Sequence, residues 1–217
     1  MTAKKLDEKS IRKQARTEAE REERTRTIRA AALDIFAARG FAAARLEDVA
    51  RAAGVAKGTI YLYFNSKEDL FEAIVKSTIG VVLANFEQAV AVSPAPASQM
   101  LRMMGLVIAN AIEDADRRRV LHLVLSEGAR FPEIADFYHR EIISRGMRLM
   151  RVIVAKGIDS GEFESDELAR FPQLAMAPAL VAVIWAEVFG RIETLDARAM
   201  LEAHFDLLLR ALTKNPS

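Results

Sequence analysis

The chain has no cysteine among its 217 residues. That removes disulfide bonds, thiolate nucleophiles and cysteine-rich zinc sites together, and it fits a reducing compartment such as the cytoplasm. Proline and glycine are scarce, at 6 and 10. No stretch alternates apolar and polar residues as a half-buried strand must. No apolar run is long enough to cross a bilayer: the longest, near residues 174–186, is short and carries Pro178. The N-terminal MTAKKLDEKSIRKQ has no apolar segment of secretory type. The three histidines, His122, His139 and His204, lack metal-ligand spacing, and no nucleophile motif, phosphate loop or paired-carboxylate signature stands out. No metal, cofactor or catalytic activity is expected.

What remains is a helical, apolar chain. Hydrophobic residues make up 51% of it, enough to bury a core in one or two domains. The net charge of +1 hides an asymmetry. Residues 1–70 carry 15 Lys+Arg against 11 Asp+Glu, whereas the rest of the chain is net acidic. A basic first third suits a polyanionic partner at one end.

The periodicity predicts about nine helices and an all-α fold. Residues 1–24 read as a charged, flexible or frayed arm. From Thr25, the residues Ile28, Ala31, Ala32, Ile35 and Phe36 share one face, and Gly40 closes that helix. Leu46, Val49, Ala50 and Ala53 mark a short second helix ending at Gly54. A third runs from Lys57 to about Tyr63. Ser66 followed by Asp69 resembles a capping box opening a long fourth helix, broken by Pro94 and Pro96. Further helices are expected at about 98–113, 117–128 and 133–157. Another begins near Asp166, is interrupted by Pro172 and Pro178, and reaches Gly190. The last spans about Leu195–Leu212.

Residues 25–70 read as a DNA-binding module and 71–217 as a body. Ile28, Phe36, Leu46, Val49, Ile60 and Phe64 are the expected shared core of the module. With these inward, Lys57, Thr59, Tyr61 and Tyr63 turn at least partly outward, and Gly58 permits close approach of a partner. Arg45 and Lys67 flank the third helix. Exposed hydroxyls and basic groups around a short helix are what a duplex phosphate backbone requires.

The series of a closing glycine at Gly40, LEDVARAAGV, KGTIYLYF and SKEDLF resembles the DNA-binding domain of the TetR family of bacterial transcriptional regulators. The resemblance implies that Arg45, Lys57, Thr59, Tyr61, Tyr63 and Lys67 contact DNA, with Gly58 allowing the approach. Two departures stand out. Ala44 and Arg45 replace a threonine pair that the family often has, and Ala56 replaces a serine at the cap of the recognition helix. The family also implies a homodimer reading a palindromic operator, and a repressor released by a small-molecule effector held in the body.

For the dimer, the expected surface is Ala179, Leu180, Val183 and Ile184 with Leu201, Phe205, Leu208 and Leu212. For the chamber, the expected lining is Met100, Met103, Met104, Val107, His122, Leu125, Phe137, Tyr138 and Trp185. A methionine stripe and a flanked histidine are each more often core than ligand contacts, and the Arg117–Arg118–Arg119 run is more often a solvated helix start. A dimeric DNA-binding protein without an effector, or an all-α enzyme, is the alternative.

Overall fold

The structure, a computed structural model, describes residues 3–213, with side chains from Thr17 onward. The first two residues of the expected arm lie outside the described residues. Two compact units divide the chain, Met1–Ile74 and Val75–Ser217.

In the first unit, α1 spans Ala3–Ala43, so the backbone of residues 3–24 is already helical. Its regular part stops at Gly40, where φ is 72°; a side chain in that left-handed conformation would be strained, which is why a glycine closes the helix. The second helix, α2 (Leu46–Ala52), ends in the same way. Gly54 has φ of 66°, and the Val55 amide donates to the Ala50 carbonyl at 2.9 Å, which is a Schellman closure.

The third helix is shorter than the pattern suggests. Only Lys57–Ile60 is α-helical (α3). After Ile60 the amides of Leu62 and Tyr63 bond three residues back, to Thr59 and Ile60. The chain thus tightens into turns before the next cap. That cap forms as expected: the Asp69 amide donates to Ser66 Oγ at 3.0 Å, while the Asp69 carboxylate accepts from the Asn65 amide at 3.1 Å. It opens α4 (Lys67–Val75). All six expected core residues are buried, and Phe41, Leu70 and Phe71 join them.

The second unit begins with a π-helical turn, Lys76–Gly80, that runs on into α5 (Val81–Val92). Then come α6 (Ala97–Glu113), α7 (Ala115–Glu127) and α8 (Pro132–Tyr138). A second π-helical turn, His139–Ile143, joins α8 to α9 (Ser144–Asp159). The remainder is α10 (Glu167–Arg170), α11 (Gln173–Val188) and α12 (Ala197–Leu212). No strand occurs among the described residues, only an isolated bridge between Phe163 and Thr213. The fold is all-α.

Pro178 does not break its helix, contrary to the sequence expectation; it lies buried inside α11. A helical proline leaves the carbonyl four residues earlier without its amide. That carbonyl belongs to Leu174, and His204 Nε2 on α12 lies 2.8 Å from it. A carbonyl can only accept, so the imidazole donates and takes over the missing bond. Glu162 similarly caps α6, accepting from the Ala97 and Ser98 amides at 2.9 and 3.1 Å. Burial would raise its carboxyl, but these bonds and the Ser98 and Ser160 hydroxyls outweigh it and hold it below the ordinary value.

The most extensive helix packing in this unit is α6 against α12. A Cβ built on Gly105 would lie 2.7 Å from the Phe205 ring. Replacing Gly105 with alanine is therefore expected to cost about 1–3 kcal/mol through overpacking. Gly146, with nothing within 4 Å of the same position, should tolerate alanine or gain from it. Denaturant midpoints of G105A and G146A check both; equal midpoints would refute the close packing.

Candidate nucleic-acid interface and internal cavity

Ile60 is fully buried and Phe64 nearly so. These two anchors decide what the segment 57–63 presents outward. Lys57, Gly58, Tyr61 and Leu62 are exposed, while Thr59 and Tyr63 are half-buried. The seven expected contacts fall into three groups by how they are held.

Arg45, Gly58 and Thr59 are uncommitted. Arg45 occupies the N-cap of α2 without a side-chain cap bond, and neither its guanidinium nor the Thr59 hydroxyl has a partner among the described residues. A Cβ on Gly58 would meet nothing within 4 Å. The fold itself places no demand for a glycine there.

Lys57 and Tyr61 are held by a residue that the sequence reading passed over. Glu47 accepts from Lys57 Nζ at 3.0 Å and from the Tyr61 hydroxyl at 3.3 Å. The hydrogen bond from Lys57 leads in holding the Glu47 carboxyl below its ordinary value, and the same bond raises Lys57. All three groups stay solvated, so the pairs orient the side chains more than they stabilise the fold. Nothing in the spacing of Glu47 and Lys57 signals this. Leu62, 76% exposed, is a second omission; an apolar side chain on such a face can meet a thymine methyl.

Tyr63 and Lys67 are committed to the fold. The Arg21 guanidinium lies 5.9 Å from the Tyr63 ring centroid. Lys67 Nζ donates to the carbonyls of Phe41 and Ala42 at 2.7 and 3.3 Å and lies 4.5 Å from the Phe41 ring centroid. It ties down the turn after Gly40.

The second unit contains a partly open cavity of about 120 Å³. Of the nine residues expected to line a ligand chamber, Met104, Val107 and Tyr138 line this cavity. The other six expected residues do not. Met100 and Phe137 are core, with Lys76 and Arg140 each 5.2 Å from the centroid of the Phe137 ring. Met103 and Leu125 are exposed, because they fall off the inward faces of α6 and α7. His122 Nδ1 sits 3.7 Å from Glu187 Oε1. Trp185 donates to the Glu193 carbonyl at 3.1 Å and packs on Phe189. Both π-helical turns contribute lining, through Ile79 and through Ile142 and Ile143. Such turns concentrate at functional sites. Arg117 also reaches the cavity, although its triplet reads as a solvated helix start.

The expected dimer surface divides. Ala179, Val183, Leu201, Phe205 and Leu212 are buried within their own chain, since α12 spends its apolar face on α6 and α11. Leu208 is half-buried. Leu180 and Ile184 are exposed, and Val181 and Val188 extend them into a stripe along α11, with Leu207 exposed on α12.

Two short helices in a tight turn, carrying uncommitted basic and hydroxyl groups, form a helix-turn-helix unit, the arrangement with which such proteins enter a DNA groove. Residues 28–74 match the family model of bacterial regulatory proteins of the tetR family. The HTH-type transcriptional repressor KstR2 of Rhodococcus jostii is 30% identical over 178 residues, 77% of this chain and 81% of that protein. KstR2 of Mycolicibacterium smegmatis is 26% identical over 136 residues, and the match spans 65% of its length. Among solved structures, the complex of SmeT with triclosan superposes with a TM-score of 0.76 at 18% identity, covering 89% of this chain and 93% of that one. FadR of Bacillus subtilis in complex with stearoyl-CoA gives 0.67 at 24% identity, covering 86% and 98%. The chain belongs to the TetR family of bacterial regulatory proteins.

The carbonyls that Lys67 satisfies would be left without donors in Lys67→Met. That variant is expected to lose about 1–2 kcal/mol of stability, read from its urea midpoint. An unchanged midpoint would remove Lys67 from the fold and return it to the surface.

Proposed function

We propose that the chain is a dimeric, effector-responsive repressor that binds a palindromic operator through residues 45–63 of each subunit. The observation that supports this most directly is Gly58. A glycine inside a helical turn costs stability, and here no neighbouring atom requires it. Its use is close approach to something outside the chain, and the residues around it are Arg45, Lys57, Thr59 and Tyr61. Arg45 acts on phosphate. Thr59 and Tyr61 meet base edges or phosphate, and Glu47 pre-orients Lys57 and Tyr61 for them. Tyr63 and Lys67 act chiefly by fixing the module. Lys67 keeps its charge beside the duplex without freeing its donors.

A single α3 of four residues reads few base pairs, so two copies related by a twofold axis are needed. The stripe of Leu180, Val181, Ile184 and Val188 is the surface offered to the second copy. A continuous apolar stripe on one helix is otherwise a solubility liability.

The cavity supports an effector. The neighbours of like fold carry triclosan and stearoyl-CoA, which share little chemistry, so the fold supplies a chamber and the side chains choose the occupant. The route from chamber to operator is the chain itself. Phe71 in the core of the first unit and Ile79 in the cavity wall belong to one uninterrupted helical run. An effector acts only by binding the released state better than the operator-bound one, and about 1–3 kcal/mol of such difference changes operator affinity 5- to 150-fold.

Two measurements test the reading. Operator sites selected from random duplexes should be palindromic. On such a site Arg45→Gln should weaken binding for all sequences and lower the salt slope by about 1. Gly58→Ala should weaken binding with no loss of thermal stability; full affinity in both variants would refute the interface. Ile184→Glu should convert a dimer into a folded monomer in light scattering, and a dimer unaffected by it would place the contact elsewhere.

A further inference from the structure

We propose that the cavity holds a carboxylate amphiphile, an apolar body ending in one anionic group, with Arg117 and Tyr138 as the headgroup site; this rests on the effector reading above. The lining is apolar apart from these two residues and contains no acidic side chain. The members of the arginine triplet differ in what they bind. Arg118 Nη1 donates to the Ile112 carbonyl at 3.1 Å, and Arg119 lies 3.5 Å from Asp116. Arg117 reaches the cavity, and its guanidinium has no hydrogen-bond or ion-pair partner among the described residues. Asp114 accepts from the Arg117 backbone amide at 2.9 Å and acts as the helix cap, not as a counter-ion to the side chain.

Tyr138 is the second, independent observation. Only 6% of its surface is exposed, and its hydroxyl has no partner among the described residues. Yet among the described residues no fully occluded side-chain oxygen or nitrogen is left unsatisfied. The hydroxyl oxygen is therefore not fully occluded, and Tyr138 is one of the residues that line the cavity. A buried hydroxyl without a hydrogen bond is costly, and Arg117, half-buried at the same cavity, has no counter-ion. A carboxylate relieves both. Its two oxygens fit the planar guanidinium fork, and it accepts from the phenol. Burial also pushes the phenol above its ordinary titration range, so it stays a donor.

The rest of the wall selects the body. Val82, Leu83, Met104, Ile142 and Met176 offer no hydrogen bonds, so a polyol or sugar would lose its water without compensation. A quaternary ammonium would meet Arg117 and no carboxylate. Flexible methionines at the wall accommodate aliphatic or alicyclic shapes.

Three ten-carbon probes test the assignment by calorimetry on the full-length protein: decanoate, decanol and decyltrimethylammonium, each below its micellar concentration. Decanoate should bind tightest, about tenfold or more above decanol, and the cation should not bind. In Arg117→Gln the decanoate affinity should fall to that of decanol, with decanol unchanged; Tyr138→Phe should weaken decanoate several-fold. Decanol or the cation binding as well as decanoate to the unaltered protein would overturn the headgroup site while leaving an apolar effector chamber. Binding of none of the three would overturn the chamber as well. The comparison on the unaltered protein stands whether or not the variants fold.

Discussion

The burial of Ile60 governs the DNA-facing half of this chain. Three short helices share a core only if each surrenders one face to it. The third gives Ile60, and the turns that follow it give Phe64. Once these are committed inward, Lys57, Gly58, Tyr61 and Leu62 are left outside. The positive-φ glycines at both helix ends serve the same constraint. Gly40 and Gly54 stop α1 and α2 where a further turn would carry the chain past the shared core. Packing, not surface charge, thus decides which side chains a duplex would meet.

In the second unit the governing contact is α6 with α12. Gly105 lets the Phe205 ring approach, and the face of Leu201, Phe205, Leu209 and Leu212 is spent on this contact. What α12 buries it cannot offer to a partner. The exposed apolar residues of this helix pair therefore fall mainly on α11, at the spacing of adjoining turns. The same arrangement accounts for His204. A proline inside α11 is tolerable because the adjacent α12 supplies the donor that Pro178 lacks.

How much of this was legible in the sequence depends on the range of the interaction. The closing glycines, the cap at Ser66 and Asp69, the core of the first module and the all-α fold are local patterns, and they were readable. The full length of the third helix was overread, because its apolar spacing is the same in a helix and in the tight turns that follow Ile60. Helix continuity through Pro178 was not readable, since the compensating bond comes from 30 residues away. Glu47 was missed for a similar reason: its bonds cross the turn to Lys57 and Tyr61. On α6 the methionines at 100, 103 and 104 look equivalent as residue types. Only the packing of α12 and α9 sorts them into core, surface and cavity wall.

Arg117 makes the same point from the side of charge. Three consecutive arginines at a helix start point about 100° apart around the axis. They need not share one environment, and here their partners differ. Arg118 finds a carbonyl and Arg119 a carboxylate, each close in sequence. Arg117 has neither, and it lines the cavity, where the sole other polar side chain is the Tyr138 phenol. Among the described residues the buried core contains no charged side chain. Arg117, half-buried at the edge of the cavity, therefore stands apart in a unit that otherwise keeps charge out of its interior.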